Sequence, residues 1–392
     1  MEINEKRDAV IWGAGKIGRG FLAEIFHNAG YNINFVEYDN RLVRGLKKAG
    51  SYTIHKISGV NAGSEIKIGN FDIIQTDDVS EIKEKLKGEN KIVAIAVHKG
   101  ALSSIAKVLS TIIEYKAESE PENYLDIIFC VNMHRPSVYF RELLIEHLSS
   151  KSYDYLNKNV GLIDSVVMRI CPEPTEKLLK KDPFVVLTNG YDKMPVDAKG
   201  FKGKVPDTDM LKLSTNIVAE EVRKIYTLNM SHAALAYMGS YEGYKYAHEA
   251  IKDNKIRSVI VGALKEVGEA LMLEYDFNTE DMRVWNQDIV EFIENPALND
   301  SLIRLGSDPK RKLAAGDRLA GPAALCAKYD IFPGNIGKAI AYGFKFKDSK
   351  NTEEQELCEY AREKGIGDAI KKYSKLTDER LISHIKDIYE KF

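Results

Sequence analysis

The run Glu221-Val222-Arg223-Lys224-Ile225-Tyr226-Thr227-Leu228-Asn229-Met230-Ser231-His232 carries a carboxylate, an amine, an amide and an imidazole at spacings that one helix can gather. On a helix turning about 100° per residue, Lys224, Glu221, His232 and Asn229 fall within an arc of about 140°. Ile225 and Leu228 share that arc, which describes a partly buried surface with selected polar groups rather than a solvated face. Such a wall suits the oxidation of a secondary alcohol by a nicotinamide: the hydroxyl proton needs a base, and the alkoxide formed as hydride leaves needs donors. Lys224 is the base if burial lowers its pKa towards neutrality, Asn229 and His232 orient the substrate oxygen, and Glu221 relays the released proton to solvent. The same residues also describe a surface lysine beside a core Asn and His whose hydrogen bonds are satisfied.

A second constellation lies near the start of the chain. Gly13-Ala14-Gly15-Lys16-Ile17-Gly18-Arg19 places a G-x-G-x-x-G between a short β-branched run and a helical one, and Glu37 closes the next apolar run. In this context Gly13 permits a tight turn, Gly15 lets the backbone approach a pyrophosphate, and Gly18 lets helix and strand pack closely. Glu37 accepts the adenosine ribose hydroxyls and repels a 2′-phosphate, which favours NAD over NADP. Lys16 and Arg19 pull the other way, since either could reach a phosphate. Asp39, two positions on, is the alternative ribose ligand.

Other chemistry fits less well. Tyr241-x-x-x-Lys245 has the spacing of the Tyr and Lys pair of short-chain dehydrogenases, but a chain with 20 tyrosines produces it by chance, and it lies far from the glycine loop. None of the four Cys and eight His residues cluster as zinc-dependent alcohol oxidation requires, so a metal-free mechanism is expected.

The elements that must hold these residues follow from the pattern. From Asp8 to about Ser149, β-branched runs alternate with helical periodicity, the signature of an α/β domain with a parallel sheet. Asp8 to Trp12, Ile33 to Glu37, Lys91 to Val97 and Asp126 to Val131 read as strands, and Ile17 to Asn28 as a helix closed by Gly30. Between Leu187 and Asp209 closely spaced Gly and Pro leave no room for regular structure. The domain transition is placed here, giving a Rossmann-type unit over 1–200 and a mostly α-helical unit over 201–392, whose long periodic segments are Leu211 to Gly239, Tyr244 to Tyr275 and Thr279 to Glu294.

Composition narrows the partners. The 392 residues carry 56 Lys plus Arg against 58 Asp plus Glu, a net charge of −2, which argues against nucleic acid and anionic membranes. Met1 to Asp8 is charged and lacks a long apolar region, and the longest clean apolar run, Ile92 to Val97, is far short of a membrane span. A cytoplasmic protein, monomer or homodimer, is expected. Cys130, Cys171, Cys326 and Cys358 form no Cys-x-x-Cys pair and read as reduced thiols.

Together these residues resemble the polyol-specific long-chain dehydrogenases. Gly13 to Phe21 is similar to that family's opening motif, with Lys16 where Asn is usual, and Lys224-x4-Asn229-x2-His232 is similar to its K-x4-N-x2-H signature. Asp308-Pro309, Arg311-Lys312-Leu313 and Gly316-Asp317-Arg318-Leu319 resemble a block of its phosphate-using branch. The resemblance implies a Rossmann-type domain, a helical domain and a substrate cleft, with Lys224 as general base and His232 holding the reactive hydroxyl. It also implies that Asn132, in Cys130-Val131-Asn132-Met133, forms the oxyanion hole with Asn229, and that Glu221 is the family's acid three residues before the lysine. The implied reaction interconverts a hexitol 1-phosphate and a ketose 6-phosphate with NAD; a free polyol, a sugar acid such as tagaturonate or fructuronate, and a non-catalytic NAD-binding sensor are the alternatives. One departure stands out: Val167-Met168-Arg169-Ile170 replaces the usual Val-Asp-Arg-Ile, so a thioether stands where the family has a carboxylate. Lys310, Arg311 and Lys312, with Arg304 and Arg318, are candidates for a substrate phosphate and equally fit the first turn of a solvated helix.

Overall fold

The computed structural model describes residues 7–57, 63–346 and 352–392. Residues 1–6, on which much of the expectation of a leaderless start rests, lie outside the described residues. The chain divides into two compact units, Met1–Glu221 and Val222–Phe392.

In the first unit, β1 (Asp8–Trp12), β2 (Asn32–Glu37), β3 (Ser51–Lys56), β4 (Glu65–Gly69), β5 (Phe71–Gln75), β6 (Lys91–Ile95), β7 (Leu125–Phe129) and β8 (Val160–Asp164) precede three short strands, β9 (Val186–Thr188), β10 (Met194–Asp197) and β11 (Leu211–Ser214). Six of them form one parallel sheet in the order β5-β2-β1-β6-β7-β8. Along β1 the side chains alternate between two cores: Ala9 and Ile11 join one apolar cluster, Val10 and Trp12 the other. Both faces are therefore covered, which is why the strands read as unbroken apolar runs. The chain moves outward from β1 to β2 on one side and to β6 on the other, so a switch point opens beyond the carboxyl ends of β1 and β6, where ligands bind in such sheets.

The segment read as irregular between Leu187 and Asp209 is more ordered than expected. β10 pairs in parallel with β11, Met194 opposite Leu211, and β9 joins β3 and β4 in a second small sheet. Local Gly and Pro content obscures such pairing, because the partner strand lies well away in sequence.

The second unit is helical. Thr279–Glu294 forms as read, started by Asn278, whose side chain accepts the Glu280 and Asp281 amides. The other two long segments are interrupted. Tyr244 to Tyr275 breaks at Asp253, which caps Asn254–Tyr275, and Leu211 to Gly239 begins with strand β11 before its helix starts at Ile217. Met230–Tyr241 is buried nearly all round, as a central core helix must be. Among the described residues no helix is long and apolar enough to cross a membrane.

Candidate active site

The turn after β1 shows what each glycine does. Gly13 has φ +100°, and a Cβ there would lie 2.5 Å from the Ala96 carbonyl oxygen. At Gly18 a Cβ would lie 1.9 Å from the Gly13 carbonyl oxygen, so the helix seats on the turn only without a side chain. Gly15 differs: a Cβ there would meet nothing within 4 Å. Two glycines thus serve packing, and the third faces open space beside a helix start, where a pyrophosphate finds unpaired N–H groups.

The neighbouring residues brace this turn. The Ala14 N–H donates to Glu37 Oε2 (2.8 Å), and Ile17 packs against the core. Lys16 pairs with Glu173. The Arg19 guanidinium donates to the carbonyls of Ala14 (2.7 Å) and Phe184, so it is turned towards the protein's own backbone.

Glu37 is buried, and its Oε1 accepts the Tyr38 and Asp39 amides at 2.9 and 3.0 Å. It borders a cleft of about 500 Å³ whose walls include Trp12, Val36, Ile105 and Val108, with Asp77 as a second carboxylate. Asp39 instead caps the helix Asn40–Ala49 by accepting the Arg41 amide at 2.9 Å. Apolar walls for a base, a carboxylate for ribose hydroxyls and an open glycine for phosphate together fit a dinucleotide.

The Val167-to-Ile170 segment lies in the same unit. Arg169 is buried; it donates to Glu24 (2.6 Å) and to the carbonyls of Gly20 (3.0 Å) and Tyr191 (2.6 Å), and Lys56 pairs with the other Glu24 oxygen (2.6 Å). Met168, at the family's aspartate position, is only 2% exposed.

Asn132 is exposed in the turn after β7. Two residues on, His134 Nδ1 lies 2.8 Å from Oε2 of Glu221, which is buried. Burial is the main influence on Glu221 and raises its pKa, the nearby Asp164 adds to this, and His134 and the Arg135 amide oppose it. The pairing of His134 with Glu221 was invisible in the sequence, where 87 positions separate them.

In the second unit, Lys224, Asn229 and His232 are each partly exposed. Their helix is not uniform. Ile225–Asn229 forms a π-turn, in which the Met230 amide reaches back five residues to the Ile225 carbonyl, so positions beyond Ile225 do not keep the 100° spacing expected for them. Thr227 anchors the turn: its hydroxyl donates to the Arg223 carbonyl (2.5 Å) and accepts Trp285 Nε1–H (2.8 Å), while the Arg223 guanidinium sits 4.0 Å from the Trp285 ring centroid.

Half-buried by surface area, His232 still has a strongly desolvated ring. That desolvation pushes its pKa down to about 4; Asp300 opposes the shift, and Arg304, Arg318 and Lys312 add to it. The imidazole is neutral at pH 7. These bases have local partners: Arg304 bonds Asp300, Arg318 bonds Asp317 (2.8 Å), Lys312 donates to the Leu305 carbonyl (2.6 Å), Arg311 pairs with Asp308, and Lys310 with Glu356 (3.3 Å). Asp300 escaped the sequence reading because nothing in its spacing ties it to His232. Tyr241 stacks edge-on with Tyr342. Among the described residues no three His, Cys, Asp or Glu side chains gather as a metal site would need.

Comparison with known proteins decides the family. A mannitol dehydrogenase Rossmann domain matches residues 7–210, and a mannitol dehydrogenase C-terminal domain matches residues 216–391. The chain belongs to the mannitol dehydrogenase family. Among similar members are the mannitol-1-phosphate 5-dehydrogenases of strains of Buchnera aphidicola subsp. Acyrthosiphon pisum, 32% identical over 362 residues, covering 92% of each chain. Among solved structures, a D-sorbitol dehydrogenase in substrate-free form aligns with a TM-score of 0.84 at 14% identity, over 98% of this chain and 93% of that one. Pseudomonas fluorescens mannitol 2-dehydrogenase, solved as a ternary complex with NAD and D-mannitol, aligns with a TM-score of 0.70 at 15% identity, over 99% and 92%. These two share the fold of this mannitol dehydrogenase family member, whose glycine turn thus belongs to a Rossmann domain and whose reaction class is oxidoreduction.

Proposed function

We propose that this protein interconverts a hexitol 1-phosphate and a ketose 6-phosphate, most simply mannitol 1-phosphate and fructose 6-phosphate, with NAD. The observation that carries this reading is the surroundings of His232, where Arg304, Lys312 and Arg318 all act on a neutral imidazole three residues from Asn229. A neutral imidazole can orient a hydroxyl, and neighbouring cations suit a phosphate at the far end of the same substrate. The relatives named mannitol-1-phosphate 5-dehydrogenase support the same assignment.

Cofactor binding is assigned to 1–200 and substrate chemistry mainly to 201–392. Gly13, Ala14, Gly15, Lys16, Ile17, Gly18 and Arg19 build the turn for the pyrophosphate, and Glu37 takes the adenosine ribose. When bound, NAD supplies the hydride acceptor. Lys224 Nζ takes the proton from the reacting hydroxyl, the Asn229 and Asn132 amides donate to the oxygen as its charge grows, and His232 fixes its position. Glu221, one turn before Lys224 in the helix Ile217–Lys224, receives the proton next.

The test is NADH consumption with fructose 6-phosphate, free fructose and tagaturonate in parallel, with and without a chelator. Turnover of fructose 6-phosphate alone, indifferent to the chelator, is expected. Turnover of free fructose or tagaturonate alone would move the assignment to an unphosphorylated substrate, and NADH binding without any turnover would make the protein a sensor.

A further inference from the structure

We propose that His134 is the port through which the buried Glu221 carboxyl exchanges its proton with solvent. The geometry carries the inference. Glu221 is 7% exposed, so its own contact with bulk water is small. The His134 side chain is 63% exposed, yet its Nδ1 stands 2.8 Å from Glu221 Oε2. The imidazole therefore bridges a buried acid and the surface.

The backbone holds that bridge in place. Arg135 adopts a left-handed conformation (φ 44°) directly before the helix Pro136–His147, an uncommon conformation for a residue with a side chain. Asp164, at the end of β8, accepts the Ser137 amide (2.8 Å) and hydroxyl (2.6 Å) in the first turn of that helix. The groups around Glu221 are then His134, the Arg135 amide and Asp164, with Glu220, Arg223 and Lys224 on its own helix. Burial, with Asp164 adding to it, raises the Glu221 pKa, which suits a carboxylate that must take up a proton briefly.

The source of the proton rests on the function proposed above. In the oxidising direction the hydroxyl proton moves to the Lys224 amine, from that ammonium to the Glu221 carboxylate, and from the Glu221 carboxyl to His134 Nδ1. The imidazolium then releases its Nε2 proton to water. Each transfer breaks one O–H or N–H bond and makes another, and the electron pair departs with the hydride. The reverse order supplies a proton for ketose reduction. His134 acts on the reaction through Glu221 and is therefore a positioning and relay residue.

Two measurements test this. His134→Ala should lower kcat for mannitol 1-phosphate oxidation about 10- to 100-fold, leave the Kd for NADH unchanged and recover turnover on addition of imidazole. A kcat within about twofold of wild type, or a loss that imidazole does not repair, would overturn the proposal. The second measurement needs no substrate: carboxyl NMR of protein labelled with ¹³C at Glu, the Glu221 signal being assigned with Glu221→Gln. In His134→Ala the Glu221 midpoint should move up, because the hydrogen-bonded partner that opposes the effect of burial has gone. An unmoved midpoint would dissolve the pair whatever the enzyme turns over, whereas a wild type inert towards every polyol phosphate would refute only the function proposed above.

Discussion

The Ala14 amide and the Glu37 carboxylate meet at 2.8 Å, so the acid at the end of β2 clamps the glycine turn as well as bordering the cleft. Its other oxygen is held by two amides, so the carboxylate is oriented before any ligand arrives. Glu37→Ala should therefore weaken NAD more than NADP, removing an acceptor from one and a repulsion from the other. Fluorescence titration of both reduced cofactors checks this, and equal weakening would remove Glu37 from ribose recognition.

The two glycines with opposite surroundings give opposite expectations. Gly15→Ala should leave Tm near wild type and weaken NADH by about tenfold or more, since its Cβ occupies space that only a ligand would fill. Gly18→Ala should lower Tm sharply, because its Cβ collides with the Gly13 carbonyl. Thermal unfolding and NADH titration on the two variants separate these effects.

Lys224→Ala should lower turnover by several orders of magnitude while NADH affinity stays near wild type. Steady-state kinetics with a parallel binding titration decides it. Unchanged turnover would take the role of base away from Lys224.

Arg304→Ala and Arg318→Ala should each raise KM for fructose 6-phosphate by about tenfold or more, the loss of one charge-assisted contact. Activity towards a free ketose, where measurable, should change little. If KM for the phosphorylated substrate holds in both variants, the phosphate binds elsewhere.

His232 also predicts a pH dependence of stability. Its folded-state pKa of about 4 lies below the ordinary value of 6.5, so between these the unfolded chain binds more protons. The stability of the neutral, buried ring is complete above pH 6.5, falls as pH drops towards 4, and changes no further below that. The full loss is about 3 kcal/mol. Urea unfolding of wild type and His232→Gln across this range should show a steeper loss of stability towards low pH in the wild type, the difference between the two being the contribution of His232.

Much of this was readable from the residues. The strands β1 and β2 and the helix Thr279–Glu294 carry complete local signals: an unbroken apolar run, a glycine turn, an asparagine cap. The spacing of Lys224, Asn229 and His232 was equally legible, but their directions were not. A π-turn leaves the apolar pattern nearly unchanged while shifting every later side chain around the axis, and its anchor, Trp285, lies on a different helix. The pairs Met194 with Leu211 and His134 with Glu221 were hidden for the same reason, since each joins residues that no local pattern links.

The wide turn in Ile225–Asn229 also sets the angle between the residues on either side of it. Were the segment to tighten to a regular α-helix with no residue removed, His232 would swing by about 100° around the axis relative to Lys224. Such a chain could fold well, even gain helical regularity, and be inert. The hydroxyl of Thr227 and the indole of Trp285, which anchor the turn, therefore hold a catalytic angle as well as a local fold.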